Sequence, residues 1–293
     1  MRVLVTGGVG FVGTNLIKRL VKEEHEVFSF DNYSTGKKEN EQQGCTYIDI
    51  DINNLEHLDK ALFSDIDVIF HMAALARIQP SLKRPQESLH ANVNGTLNIL
   101  ELARLNNIPL IYAGSSSVHH GLYGSPYAWS KHAGEQLCEL YSKVYGLSTA
   151  ICRFYNVYGP HQLETGEYST VLGIFERQLR DDQPLTITGD GEQRRDFTHV
   201  DDIVDGLYKC IGKDLRADIF ELGRGKNFSI NEIVDMFKTE REYIPARKGE
   251  YPVTLCDTSL AKEKLGWVPT KNLEDYISEV ISDEKNIIRN DAV

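Results

Sequence analysis

Positive charge is scarce in this 293-residue chain: 32 lysines and arginines face 43 aspartates and glutamates, a formal net charge of −11. That balance argues against nucleic acid or an anionic membrane as the main partner, and an anionic ligand needs a local basic cluster. Cysteine pairing is lacking too. The five thiols, Cys45, Cys138, Cys152, Cys210 and Cys256, are dispersed, odd in number and without a C-x-x-C pair. A disulfide framework or a metal site is not expected, and reduced thiols in a cytoplasmic protein are. No apolar run is long enough to span a bilayer, and the chain opens directly into MRVLVTGG, so neither a membrane segment nor a signal peptide is expected. Repeats and low-complexity tracts are missing as well. What remains is an ordinary globular composition, 41% hydrophobic and 26% charged, enough for one large domain or a large and a small one sharing a cleft.

Arg2 to Thr6 is a valine-rich run too short for a helix and reads as a buried parallel strand. It enters Gly7-Gly8-Val9-Gly10-Phe11-Val12-Gly13, after which Val12, Leu16 and Leu20 share one helical face. Strand, glycines, helix is the context a dinucleotide fingerprint requires, and both Gly8-x-Gly10-x-x-Gly13 and Gly7-x-x-Gly10-x-x-Gly13 fit it. The glycines permit a tight turn and close approach to a pyrophosphate, which then faces the helix N-terminus. A glycine turn with no ligand is the competing reading, and the context disfavours it. No Gly-Lys-Ser/Thr follows, which excludes a P-loop.

The next strand, Glu26 to Phe30, ends in Asp31, eighteen residues past Gly13. An acid there bonds ribose hydroxyls and repels a 2′-phosphate, which favours NAD over NADP even though Lys37 and Lys38 lie just downstream. A third apolar segment ends at Asp51-Ile52, and a fourth, Asp67 to Ala74, ends in small residues that would let a cofactor lie against the backbone. A helix with Asn92, Gly95, Thr96 and Asn98 follows, and a fifth strand, Ile108 to Ala113, leads into Ser115-Ser116-Ser117. Strands alternating with helices at this spacing predict an α/β fold with a doubly wound parallel sheet.

Ser125-Pro126 is a helix start, an oxygen-bearing N-cap followed by proline at the first helical position. On that helix Tyr127 and Lys131, four apart, share a face. An ammonium beside a phenol favours the phenolate and makes it usable as a base. Lowering a tyrosine from about 10 to about 7 needs roughly 4 kcal/mol, so a second positive charge is expected nearby. Beyond this helix a sixth strand, Leu147 to Phe154, leads into Tyr155-Asn156-Val157-Tyr158-Gly159-Pro160. Glu164 to Leu179 reads as a loop and a helix, Leu185 to Thr188 as a short strand, and Gly189 to Phe197 as a turn carrying Arg194 and Arg195. The Asp201 to Ile211 helix and the Asp218 to Gly223 strand are regular enough to rejoin the first domain. A last capped helix runs from Asp257 towards Leu265, with Gly266 as its stop. The division expected is a dinucleotide-binding domain over 1–157, rejoined by about 198–225, and a smaller lid within 158–293. Arg195 and Arg247 would supply the lid with the charge a diphosphate requires.

Taken in order, TGGVGFVG, Asp31-Asn32, Asp51-Ile52, HMAALA, Asn92 to Asn98, SSSV, SPYAWSK, RFYNVYGP, GDGEQRRDF and KLGWVP cover nearly the whole chain. In this order they resemble the extended short-chain dehydrogenase/reductases with a Rossmann fold, and within them the NAD-dependent sugar epimerase/dehydratase family, UDP-hexose 4-epimerases most of all. The resemblance implies that Gly7, Gly10, Phe11, Val12 and Gly13 meet the NAD pyrophosphate and that Asp31, Asn32, Ser34, Thr35 and Gly36 surround the adenosine ribose. It places Asp51 and Ile52 at the adenine, Met72, Ala73, Ala74, Ala76 and Asn92 along the cofactor groove, and Tyr155 beside the nicotinamide. Tyr127, Lys131 and Ser115 would be catalytic, with Ser117 as the second choice of serine, and oxidised nicotinamide would be the second charge. Asn156, Ser169, Val171, Thr188, Arg195, Arg247 and Glu250 would hold the nucleotide-sugar. The implied reaction is C4 epimerisation of a UDP-hexose by transient oxidation, with Tyr127 taking the C4 hydroxyl proton, in a homodimer built on a four-helix bundle; Leu137, Leu140, Tyr141 and Val144 give a stripe for it, with intramolecular core as the alternative.

The chain also departs from the family pattern. Tyr127 follows Ser115 by only twelve positions, and Val118-His119-His120-Gly121 stands where Val-Tyr-Gly is usual. The missing loop puts the substrate range in question, and the two histidines read as loop residues rather than metal ligands. Ser115-Ser116-Ser117 lacks the acid pair of a 4,6-dehydratase. Decarboxylation or epimerisation of a UDP-uronate, reduction of a 4-keto sugar, and a non-catalytic NAD-binding regulator stay open; Arg77 would face a uronate carboxylate or be structural. Thr254, small where an aromatic excludes N-acetylated sugars, predicts that a UDP-N-acetylhexosamine is accommodated.

Overall fold

The computed structural model describes residues 1–54, 65–119, 121–247, 249 and 251–291, without the side chains of 285–291. The strands are β1 (Arg2–Thr6), β2 (Glu26–Asp31), β3 (Cys45–Asp49), β4 (Val68–His71), β5 (Leu110–Ser115), β6 (Thr149–Phe154), β7 (Val157–Tyr158), β8 (Leu185–Thr188), β9 (Arg194–Asp196), β10 (Thr198–His199), β11 (Arg216–Leu222), β12 (Asn227–Ser229) and β13 (Arg241–Ile244). The helices are α1 (Phe11–Lys22), α2 (Ile78–Lys83), α3 (Pro85–Leu89), α4 (Gly95–Asn106), α5 (Pro126–Tyr145), α6 (Val171–Arg180), α7 (Val200–Tyr208), α8 (Ile230–Phe237), α9 (Ser259–Leu265) and α10 (Leu273–Asp291).

Seven strands form one parallel sheet in the order β11-β6-β5-β4-β1-β2-β3. The chain winds outward from β1 through β2 to β3, then returns to β1's other side as β4, so the strand order reverses between β1 and β4. The carboxyl ends of those two strands open the crevice where such sheets bind ligands. Central strands are apolar on both faces because helices cover both: β4 is buried at every position, and β1 at all but Arg2. Leu16, Ile17 and Leu20 of α1 pack with Val200, Ile203, Val204 and Leu207 of α7 on one face. Ile99, Leu100 and Ala103 of α4 pack with Cys138 and Tyr141 of α5 on the other.

A third apolar cluster holds the C-terminal part together, with Phe175, Ile187, Phe197, Ile233, Phe237 and Leu273 at its centre. Its strands pair as β8 with β13 and β9 with β12. Near it, two loops converge on the buried Asp196 carboxylate, which accepts the backbone N–H groups of Arg224 (2.7 Å), Gly225 (2.9 Å) and Cys256 (3.0 Å).

Several expectations need correction. The third strand stops at Asp49, before Asp51-Ile52, because the Asp51 carboxylate turns the chain by accepting the Asn53 N–H at 2.9 Å. The helix ending at Gly266 is not the last; α10 follows and seals the third cluster with Leu273 and Ile277. The stripe on α5 divides: Tyr141 is buried in the core and Leu137 packs against it, whereas Leu140 and Val144 are exposed. No helix among the described residues is long and apolar enough to cross a membrane.

Candidate active site

The glycine turn is shaped by backbone contacts that leave no room for side chains. Gly7 takes φ +74°, and a Cβ on it would come within 2.8 Å of the Ala73 backbone at the end of β4. A Cβ on Gly13 would come within 2.1 Å of the Gly7 carbonyl oxygen. The turn therefore packs against both its own helix and the neighbouring strand, and the free N–H groups at the start of α1 face the β1–β4 crevice. Asp31, at the tip of β2, accepts the N–H groups of Val9 (3.0 Å) and Tyr33 (2.8 Å). Burial pushes its carboxyl upward, and those two N–H groups oppose the rise. Asn32 accepts the Ser34 N–H at 3.1 Å, and Gly36 lies against Val9, so Ser34, Thr35 and Gly36 form one loop beside the turn. Lys37 pairs with Glu39 at 3.2 Å on the surface.

The other wall of the crevice follows β4. Ala73 N–H donates to Thr6 Oγ1 at 3.2 Å, and the buried Asn92 holds Leu75 from both sides, accepting its N–H at 2.8 Å and donating to its carbonyl at 3.2 Å. Met72, Ala73, Ala74 and Ala76 thereby run beside the turn, and Asn92 also donates to Ser130 of α5 at 2.9 Å. Ile52 is buried against Gly95, and its carbonyl accepts Asn98 Nδ2 at 2.9 Å.

Beyond β5 lies the hydroxyl pair. Ser125 caps α5 by accepting the Ala128 N–H, and Pro126 occupies the first helical position. Tyr127 donates its phenol hydrogen to Ser115 Oγ at 3.3 Å, while the buried Ser117 Oγ meets no partner. Lys131 is 4% exposed, with Nζ 4.3 Å from the centre of the Tyr112 ring. Burial lowers its pKa from 10.5 to about 8, against the opposing charge of Glu135. Burial raises the Tyr127 phenol, and the Ser115 hydrogen bond and the Arg77 charge oppose that rise. The Arg77 charge thus acts on the Tyr127 phenol as well, and Lys131 lies one turn along the same helix from Tyr127.

Behind Lys131 a charged ladder crosses to the sheet edge. Glu135 is bidentate with Arg153 (3.0 and 2.7 Å), Arg153 reaches Glu221 at 2.8 Å, and Glu221 meets His119 Nε2 at 2.7 Å. His119 is thus more than a loop residue; it ties the short bridge to β11. His120 lies outside the described residues. Tyr155 is buried beside Glu221, and burial pushes its phenol up.

The lid residues are less uniformly gathered. Asn156 donates to the Asp196 carbonyl at 2.8 Å and to Thr254 Oγ1 at 3.3 Å, and Thr254 is itself buried, accepting the Asp196 N–H at 3.0 Å. The Thr188 carbonyl accepts from Gln193, and Val171 opens α6 behind its Thr170 cap. Ser169 O and Tyr168 O accept Arg77 Nε at 3.3 and 3.1 Å, which joins this loop to the start of α2. Arg195 is buried on β9, whereas Arg247 is exposed beyond β13, and Glu250 lies outside the described residues. Sequence reasoning overlooked Asp196, whose only signal was its place at the end of GDGEQRRD.

Residues 3–223 match the family model described as the NAD dependent epimerase/dehydratase family. The chain belongs to this family. A putative UDP-glucose 4-epimerase of Methanocaldococcus jannaschii is 33% identical across 97% of this chain and 98% of its own length. A UDP-glucuronate 4-epimerase of Thermodesulfobacterium geofontis is 33% identical across 97% and 96%. Among solved structures, the UDP-glucose 4-epimerase of Thermotoga maritima with UDP-glucose superimposes with a TM-score of 0.91 at 29% identity, over 98% of this chain and 100% of that one. Extended short-chain dehydrogenase/reductase architecture and an NAD-dependent family are both as expected from the sequence. The crevice fits NAD: its glycines leave space only for backbone, the helix start offers N–H groups to a diphosphate, and a carboxylate, Asp31, ends β2 and is bonded to the turn at Val9.

Proposed function

We propose that this epimerase-family protein is a nucleotide-sugar 4-epimerase acting by transient oxidation at sugar C4, on a UDP-hexose or a UDP-N-acetylhexosamine. The observation that carries the reading is the Tyr127–Ser115 hydroxyl pair, 3.3 Å apart, with the buried Lys131 one turn along the same helix from Tyr127. Gly7, Gly10, Phe11, Val12 and Gly13 would hold the cofactor diphosphate, and Asp31 its ribose. Bound NAD supplies a reversible hydride acceptor and, when oxidised, a positive charge in the cleft. Tyr127 takes the proton from the C4 hydroxyl, and Ser115 holds the same oxygen as it becomes a carbonyl. A phenolate at neutral pH needs about 4 kcal/mol of stabilisation relative to a free tyrosine, and Ser115, Arg77 and Lys131 share that task. Inversion requires the 4-keto sugar to present its second face, so the sugar turns while Arg195 and Arg247 hold the nucleotide diphosphate. The three consecutive serines carry no acid pair for dehydration.

Tyr127→Phe is the test. Turnover should fall at least about a hundredfold while NAD stays bound, and unchanged turnover would remove Tyr127 as the base. Assaying C4 inversion on UDP-, GDP- and dTDP-sugars identifies the nucleotide, and turnover of UDP-glucose with UDP-N-acetylglucosamine untouched refutes the role given to Thr254. We place the enzyme in the cytoplasm, on its five unbridged cysteines, and as a homodimer through α4 and α5, which expose Leu97, Leu105, Leu140 and Val144. A monomer in sedimentation would refute the dimer.

A further inference from the structure

The short bridge from Ser115 to the helix cap Ser125 begins with one 3-10 turn, Ser116–His119, directly after β5. From inside that turn the Ser117 N–H donates to Ser115 Oγ at 3.2 Å, the same oxygen that accepts the Tyr127 phenol at 3.3 Å. Ser115 thus accepts two hydrogen bonds, and its own hydrogen is left to donate elsewhere. His119 closes the turn and meets Glu221 Oε1 through Nε2 at 2.7 Å. Burial would raise the Glu221 carboxyl, yet its bonds to His119 and Arg153 leave it below the ordinary carboxylate value. It therefore accepts as a carboxylate, and Nε2 carries the hydrogen. Glu221 on β11 is in register with Arg153 on β6, and Arg153 with Gly114 on β5. A Cβ on Gly114 would come within 3.0 Å of both Arg153 Cγ and Glu135 Oε1, so the charged ladder lies directly on the backbone that leads into Ser115. Its far end, Glu135, is one turn past Lys131 on α5, the helix that also carries Tyr127.

We propose that His119 is a positioning residue: by tying the Ser116–His119 turn to Glu221 it fixes the Ser117 N–H, and through it the Ser115 hydroxyl, against the Tyr127 phenol. The inference rests on the C4 chemistry assigned to Tyr127. Further along the bridge Gly121 has open space where a Cβ would stand and Tyr123 is 87% exposed, so packing does little there to hold the turn. The side chain of His119 does that instead, through a ladder that also grips β5 and α5. The bridge, the strand that delivers Ser115 and the helix that delivers Tyr127 and Lys131 are thereby locked to one charged row. His119 is itself exposed, so its removal opens no buried cavity and acts on alignment rather than on folding. Reacting groups displaced by a fraction of an ångström lose rate while the substrate still binds.

The experiment follows C4 inversion of the UDP-, GDP- and dTDP-sugars by the NAD-loaded enzyme in wild type, His119→Ala and His119→Gln. On whichever sugar is inverted, His119→Ala should lower kcat about tenfold and leave KM within about twofold. The Ser115 bond opposes the rise of the Tyr127 phenol, so loosening it should also move the acid limb of the kcat–pH profile to higher pH. Glutamine brings an N–H donor to Glu221, so His119→Gln should recover most of kcat and return the limb. Unchanged kcat in His119→Ala, a rise in KM alone, or a glutamine variant no better than alanine overturns the proposal. Should wild type invert none of the sugars, the C4 reading fails on its own. The Tyr127 phenol of the NAD-loaded protein is then titrated by NMR with isotope-labelled tyrosine, its signal assigned with Tyr127→Phe. An upward displacement in His119→Ala that glutamine reverses upholds the tie to Ser115, and an unmoved titration overturns it.

Discussion

Replacing Lys131 by methionine should make the protein more stable and nearly inactive. Lys131 is 4% exposed, and burial lowers its pKa from 10.5 to about 8. The unfolded chain keeps its proton up to 10.5 while the folded one releases it near 8, so stability rises with pH through that window, and below about 8 the whole penalty stands. The gap corresponds to roughly 3 kcal/mol at pH 7. The Tyr112 ring face beneath the ammonium offsets about 1 kcal/mol of it. Methionine fills similar space without charge, and Glu135 keeps its bidentate partner Arg153, so the variant should gain about 2 kcal/mol. For a chain of this length that is a rise in Tm of roughly 3 °C, read by calorimetry on NAD-free protein. At pH 9.5 the gain should shrink as the wild-type lysine loses its proton. Turnover should drop at least about a hundredfold. A variant that melts below wild type at pH 7, or one whose gain does not change with pH, would show that the ammonium is not held at a net cost.

Gly13→Ala drives a Cβ to 2.1 Å from the Gly7 carbonyl, so α1 must move off the turn; about 1–3 kcal/mol should be lost in urea unfolding and NAD should bind at least tenfold more weakly. His71 is buried between Thr6 Oγ1 (2.7 Å) and Thr96 Oγ1 (3.0 Å), and burial lowers its pKa from 6.5 to about 3. Its folded pKa lies below the unfolded one, so the stability it contributes is complete above 6.5 and falls away on acidification, by roughly 3 kcal/mol at pH 4. His71→Gln should flatten the decline in Tm between pH 6.5 and 4.5, and parallel curves would exonerate the histidine. Asp196→Asn replaces an acceptor of three N–H groups with a side chain that can turn a donor towards them. A loss of about 2–4 kcal/mol is expected, together with a rise in substrate KM from the loosened lid; a change confined to kcat would contradict this role.

The parts of the molecule legible in the sequence are those whose cause is local. Gly7 to Gly13 announces its turn because only glycine tolerates the approach of Ala73 and Gly7 itself, and Ser125-Pro126 announces α5 because the cap and the proline lie next to the helix they start. The lid was harder to read because its order is non-local: β8 pairs with β13 and β9 with β12 across long intervals, and no short pattern encodes either pairing. Leu273, Ile277, Val280 and Ile281 carry a helical spacing that the stop at Gly266 conceals. The charges around Tyr127 were legible only in part, for a related reason. Sequence proximity points to Lys131 on the same helix, and no short pattern points to Arg77, whose charge also opposes the rise of the phenol and whose guanidinium is held by carbonyls from a loop more than ninety residues away.

Ser115, Tyr127 and Lys131 arise from a single stretch of seventeen residues, bridged without a long loop. The residues proposed to hold the nucleotide-sugar come instead from the Tyr168–Ser169 loop, β9 and the Thr254 segment, each on a separate excursion of the chain. On the proposed reading, chemistry and selectivity sit on different inheritable units. On that reading a substitution at position 254 would change which sugar is admitted without disturbing the reacting groups, and the reacting stretch would stay fixed while its surroundings diversify. For anyone redirecting this enzyme, the productive library lies in the excursions, and the compact stretch is best left alone.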